Sequence, residues 1–120
     1  MKAYTDIEQS KKLAEILPLE SADMYWEEEC NLPKAVIGSY VLHNQCREDK
    51  DYKKLTNPVL APAWSLSALL EIIRNHDRHE LYLYEGGYYF ECGEFITESY
   101  FNPIDAAFEM VCWLKENGHI

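Results

Sequence analysis

Positive charge nearly disappears from the second half of the chain. Residues 61–120 hold 3 Lys and Arg against 10 Asp and Glu, whereas residues 1–60 hold 8 against 11. Affinity for phosphate backbones depends on cations that displace counterions, so this deficit argues against direct binding of DNA, RNA or anionic membrane surfaces. No run approaches the roughly 20 apolar residues of a membrane span. The opening "MKAYTDIEQSKK" is polar where a secretory signal would be apolar, so a cytoplasmic protein is expected. Cysteine is sparse and scattered: Cys30, Cys46, Cys92 and Cys112 form no close pair, which argues against a disulfide framework and leaves reduced thiols as the expectation. Glycine is also scarce, and no serine stands between glycines as a nucleophile elbow requires.

What is present is the material of a small globular domain. The 120 residues are 48% hydrophobic and 27% charged, with a net charge of −10, which suits one core and a basic partner or simple solubility. A single α+β domain over residues 1–120 is expected. It would have three helices packed on a small antiparallel sheet of about four or five strands, closed by a C-terminal hairpin-strand-helix unit.

The first helix is predicted over Asp6 to Leu17. Thr5 and Glu8 have the spacing of a capping box, Ile7, Leu13, Ala14, Ile16 and Leu17 share one half of the wheel, and Pro18 stops the run. "DMYWEEEC" and "KAVIGSYVLH" read as strands separated by "NLP", and "NQCREDKDYKKLTNP" as a solvated loop leading into a Pro-punctuated connection. Ser65 follows Trp64 and precedes Leu66, Leu69, Leu70 and Ile73 on one stripe, so it caps a helix over Leu66 to Asn75 rather than acting as a nucleophile.

"LYLYEGGYYFEC" carries a hairpin signal at Gly86-Gly87, which would place Tyr84 opposite Tyr89 and Leu83 opposite Phe90. Leu81, Leu83, Phe90 and Cys92 would then face the core, and Tyr82, Tyr84, Tyr89 and Glu91 the other side. "FITESYF" reads as the next strand. The last helix begins at Asn102-Pro103 and ends at Gly118. Ile104, Ala107, Phe108, Val111, Cys112 and Leu114 form one broad apolar face of it, and Ala106, Met110 and Trp113 occupy much of the remainder.

At "YTDIEQSKKLAEILPLESADM", "PAWSLSALLEII" and "NPIDAAFEMVCWLKENG" the chain resembles a family of small proteins encoded by phages and mobile elements of gut bacteria. The resemblance implies a mobile-element setting, in which small acidic proteins bind host proteins or imitate the charge of DNA. It carries no catalytic residue onto this sequence.

The remaining chemistry is thin. His76 and His79 in "HDRHE" match no metalloprotease spacing, and Cys30, His43 and Cys46 contain no close ligand pair, so neither a metal nor another cofactor is expected. Cys92 and Cys112 fall on core faces. The leading expectation is an accessory protein-protein interaction module that binds a protein partner or itself. Its candidate contact residues are Tyr82, Tyr84 and Tyr89 on the hairpin and Met110 and Trp113 on the last helix, because aromatic residues are enriched at interface cores. The alternatives are an acidic charge-mimic inhibitor of a nucleic-acid-binding protein and, further off, a small enzyme with an unrecognised Cys/His site.

Overall fold

The computed structural model describes residues 2–74, 80–84, 87–92 and 95–120, with residues 53 and 80–84 described by backbone alone. Their elements run α1 (Ile7–Ile16), a 3-10 turn (Leu19–Ser21), β1 (Met24–Glu29), β2 (Leu32–Ile37), α2 (Tyr40–Cys46), α3 (Lys50–Leu55), β3 (Val59–Ala63), α4 (Leu66–Arg74), β4 (Glu80–Tyr84), β5 (Gly87–Cys92), β6 (Phe95–Ile96) and α5 (Pro103–Glu116). The α+β class is as expected, but the counts differ. Among the described residues there are five α-helices and six strands, divided between two antiparallel sheets ordered β2-β1-β3 and β4-β5-β6. Two compact units result: Asp6–Trp64, and Ser65–Ile120 with Met1–Thr5.

In the unit Asp6–Trp64, Asp6 rather than Thr5 caps α1. Its Oδ1 accepts the Gln9 N–H at 2.7 Å while Gln9 Oε1 accepts the Asp6 N–H at 3.1 Å, a reciprocal box one residue later than Thr5–Glu8. Thr5 is fully buried, whereas Asp6 is exposed and its carboxylate suits the positive end of the helix dipole. Ser10, Leu13 and Leu17 form the buried line of α1 and its C-cap.

β1 and β2 pair from Glu29↔Leu32 to Met24↔Ile37, so the hairpin loop is Cys30-Asn31 and not "NLP". Both loop residues have positive φ, 53° and 65°, as a type I′ turn demands. The expected second strand stops early. Gly38 has a φ of +154° and packs so close that a Cβ there would lie 3.3 Å from the Tyr25 ring. Ser39 Oγ then accepts the Leu42 N–H at 3.2 Å and starts α2. The expected loop contains α3, where Asp49 Oδ1 accepts the Asp51 N–H at 2.9 Å.

β3 replaces the expected Pro-punctuated connection, and the hydrogen-bond phase shows why proline is tolerated there. The Gly38 N–H donates to the Asp23 carbonyl at 3.0 Å and the Glu28 N–H to the Pro58 carbonyl at 2.8 Å. Odd-numbered residues of β1 therefore bond toward β2 and even-numbered ones toward β3. Pro33 pairs with Glu28 and Pro62 with Tyr25, so each proline nitrogen points away from β1, where the ladder needs no donor. After β3 comes Trp64, fully buried, whose indole N–H donates to Ser21 Oγ at 2.9 Å.

In the other unit, Ser65 caps α4 as expected, its Oγ accepting the Ala68 N–H at 3.1 Å. The N-terminal segment joins here through a bridge between Tyr4 and Ser65 and a Leu66 N–H to Ala3 carbonyl bond of 3.2 Å. The β4–β5 hairpin is slipped by two residues from expectation: Tyr84 pairs with Gly87, Tyr82 with Tyr89 and Leu81 with Phe90. Gly87 is thus spent in the ladder rather than in the loop. An even slip preserves facing parity, and Phe90 and Cys92 are buried as expected while Tyr89 and Glu91 are half-buried.

Asn102 caps α5, its Oδ1 accepting the Asp105 N–H at 3.0 Å. At the other end Gly118, at φ +74°, donates to the Lys115 carbonyl and His119 to the Leu114 carbonyl at 2.8 Å, the paired bonds of a Schellman motif. Between these caps α5 packs against both α4 and β5. Its two apolar faces are used by two layers of the same unit, and Ile104, Ala106, Ala107, Met110, Val111 and Leu114 are buried.

The Cys30-Asn31 turn holds two side chains in a conformation that L-residues disfavour by about 1 kcal/mol or more each. Replacing the pair by Asn-Gly (Cys30→Asn with Asn31→Gly) is expected to raise unfolding stability by about 1 kcal/mol, measured by urea titration.

Candidate functional site

The contact residues expected from sequence lie on the β4–β5 hairpin and on α5. The side chains of Tyr82 and Tyr84 lie outside the described residues, and Tyr89 is half-buried. Met110 is fully buried, so it presents no surface to a partner. Trp113 is half-buried between two rings: Phe95 stacks on it with centroids 4.5 Å apart and an interplanar angle of 7°, and His119 at 5.4 Å and 22°. The Schellman turn brings His119 back over the indole, so Trp113 joins β6 to the end of α5.

Among the described residues of this unit the most exposed phenylalanine, tyrosine or tryptophan is Phe101, at the end of the run "FITESYF". Its side chain is 93% exposed. The backbone on either side is fixed. Thr97, itself buried, donates its N–H to the Phe90 carbonyl at 2.9 Å, and its Oγ accepts the Phe90 N–H at 2.8 Å. Tyr100 then exchanges both backbone bonds with Tyr88, at 2.7 and 2.9 Å. Three steps from Thr97 to Tyr100 thus match two from Phe90 to Tyr88, and the extra residue makes a bulge, the usual device for re-aiming a side chain.

Helix α5 supplies the second set of ties. Glu109 Oε2 accepts the Glu98 N–H at 2.9 Å, and the Glu109 carboxylate also accepts a hydrogen bond from the Tyr100 hydroxyl. Burial first, and that bond next, push the Tyr100 phenol up to about 12. Immediately after Phe101, Asn102 is engaged as the α5 cap and donates through Nδ2 to Asp105 Oδ2 at 2.9 Å, while Asp105 Oδ1 holds Lys2 at 2.8 Å. Phe101 therefore stands between two anchored residues and projects into solvent. Ile96, 57% exposed, lies on β6 in the same unit. The surroundings are acidic: this unit holds 4 Lys and Arg against 10 Asp and Glu.

The other unit contains an aromatic cluster that the sequence did not announce. His43, 8% exposed, stacks on Tyr25 at 4.4 Å, and its Nδ1 shares a 2.7 Å hydrogen bond with the Tyr52 hydroxyl. Its Nε2 is buried with no hydrogen-bond partner among the described residues. The ring is set among phenols rather than beside a thiol: Cys46, one turn on, is exposed, as is Cys30. Cys92 is buried and Cys112 half-buried. His76 and His79 lie outside the described residues, and among the described residues no group of three or more His, Cys, Asp and Glu could hold a metal ion. No helix among them is long and apolar enough to cross a membrane.

Burial, and next the Arg47 charge, hold His43 below its ordinary value of 6.5, with Glu27 opposing. The unfolded chain therefore takes up this proton first as pH falls. The contribution of His43 to stability is complete above about pH 6.5 and is lost as pH drops through the lower folded value. Urea unfolding followed by tryptophan fluorescence should show stability falling as the pH drops below about 6.5. His43→Phe, which keeps a ring against Tyr25, should flatten that slope. Comparison of the chain with family models, with curated proteins and with solved structures gave no match.

Proposed function

We propose that this chain is a small acidic accessory module that acts by binding a basic protein, with Phe101 as the anchor of the contact. The observation that supports this reading is a phenylalanine 93% exposed on a backbone tied at Thr97, Glu98, Tyr100 and Asn102. An aromatic side chain on an anchored backbone surrenders little conformational freedom on binding, and residues of that kind dominate interface energetics. Its acidic setting would speed encounter with a positively charged partner and select against acidic ones. Tyr82, Tyr84 and Tyr89 of the hairpin are further proposed contact residues, whereas Met110 and Trp113 serve the interior and the helix end. A mobile-element setting, implied by the resemblance of three sequence blocks, makes a protein of the host cell the natural partner.

Phe101→Ala should leave unfolding stability within about 0.5 kcal/mol of the parent, because so little of the ring is buried. The same change should weaken binding to a basic protein recovered from cell extract by about 2 kcal/mol, roughly 30-fold in Kd by calorimetry. Glu109→Ala should also weaken that binding with Phe101 intact, by releasing Glu98 and Tyr100. Both affinities should fall as salt rises. Binding that ignores Phe101→Ala would contradict the proposal.

A further inference from the structure

Strand β2 carries a hydrogen-bonding edge with which no described strand pairs. It ends its sheet, and its partners on β1 fix which groups point where. Leu32, Lys34 and Val36 pair with odd-numbered β1 residues and turn their backbone groups inward, so Pro33, Ala35 and Ile37 turn theirs outward. The side chain of Ile37 is 85% exposed and that of Leu32 68%. The two edges of this sheet are unequal. On β3, Pro62 removes an outward donor near the strand end and a bulge interrupts the ladder opposite Trp26 and Glu27. On β2, Pro33 removes only the first outward donor and leaves two successive ones, Ala35 and Ile37.

We propose that this edge pairs with the same edge of a second copy of the chain, antiparallel about a two-fold axis at Val36. In that register each Ala35 N–H donates to the carbonyl of Ile37 of the partner subunit, and each Ile37 N–H to the carbonyl of Ala35 of the partner subunit. All outward donors and acceptors of both residues are satisfied, and Pro33 falls beyond the last bond. Centring the pair on Ala35 instead would set the Ile37 carbonyl against Pro33 of the partner subunit, which has no N–H to give. The side chains agree with the Val36 register: Ile37 lies over Ala35 of the partner subunit, and Val36 meets Val36 of the partner subunit.

Charge points the same way. In a chain with 21 Asp and Glu, β2 has none. Its one charge, Lys34, is held by Glu29 at 3.1 Å and falls opposite Gly38 of the partner subunit. The contact is isologous, so it closes as a dimer and does not propagate.

The net charge of −10 on each copy opposes association, and salt therefore strengthens it by screening. That sign is opposite to the salt effect on a basic partner. The edge lies in the unit Asp6–Trp64 and Phe101 in the other, so either reading can fail while the other stands.

Sedimentation of the full chain from about 10 μM to about 1 mM, at low and high salt, tests the proposal together with amide hydrogen exchange at both ends of the series. The dimer fraction should rise with concentration and with salt, and exchange at Ala35 and Ile37 should slow as it does. Ala35→Pro removes an N–H that the β1–β2 ladder does not use, and Ile37→Lys alters an exposed side chain. Each should remain monomeric over the same series, and Ile37→Lys should keep the parental melting temperature. A chain monomeric throughout would overturn the proposal. So would a dimer that survives Ile37→Lys, or one that leaves the Ala35 and Ile37 amides unprotected.

Discussion

The carboxylate of Glu109 is the constraint on which the candidate site depends. From the middle of α5 it reaches the segment after β6 and accepts hydrogen bonds from the Glu98 N–H and the Tyr100 hydroxyl. Without those bonds the segment would be tied to β5 only through Thr97 and the Tyr88–Tyr100 bridge. With them, both backbone and side chain are held to a helix that is itself fixed by the Asn102 cap, the Schellman turn and the stack on Trp113. Phe101 inherits that rigidity without being buried by it, which separates a preorganised contact residue from an exposed apolar one of no consequence.

What sequence reading recovers here is local. Ser65, Asn102 and Gly118 act where expected because a cap is decided by a side chain and the amides within three or four residues of it. The capping box at α1 shows the limit of that reasoning, since Thr5 and Asp6 both qualify and the burial of Thr5 decides between them. Farther from such signals, packing takes over. The alternation from Val36 to Leu42 suits a strand as well as a helix, and only the approach of Gly38 to Tyr25 followed by the Ser39 cap divides it. α3 is polar along its length and is joined to its surroundings by Tyr52 and its bond to His43.

The candidate site was less legible than the fold, for a related reason. Two apolar faces on α5 can mean a second layer or a partner, and composition cannot choose; contact with both α4 and β5 chooses the layer. Met110 and Trp113 then belong to the interior and the helix end. Phe101 carried the opposite ambiguity, since an aromatic at the end of an alternating run reads as one more strand residue. Its orientation comes from a bulge between Thr97 and Tyr100, set by pairing with β5. The open edge of β2 was similarly concealed, because strand order decides which amides are left outward.

The two proposed surfaces divide the electrostatic problem. A net charge of −10 favours basic partners and disfavours copies of itself, so contact with a second copy would have to use a strand edge that, like that of β2, carries no carboxylate.

The most direct measurement of the central claim places a photoreactive benzoylphenylalanine at position 101 and irradiates the protein in extract of its native cells. If the anchored ring is the contact, one discrete adduct with a basic protein should form, and adding Glu109→Ala should suppress it. No adduct, or the same adducts from the probe placed at the exposed Glu116, would contradict the claim.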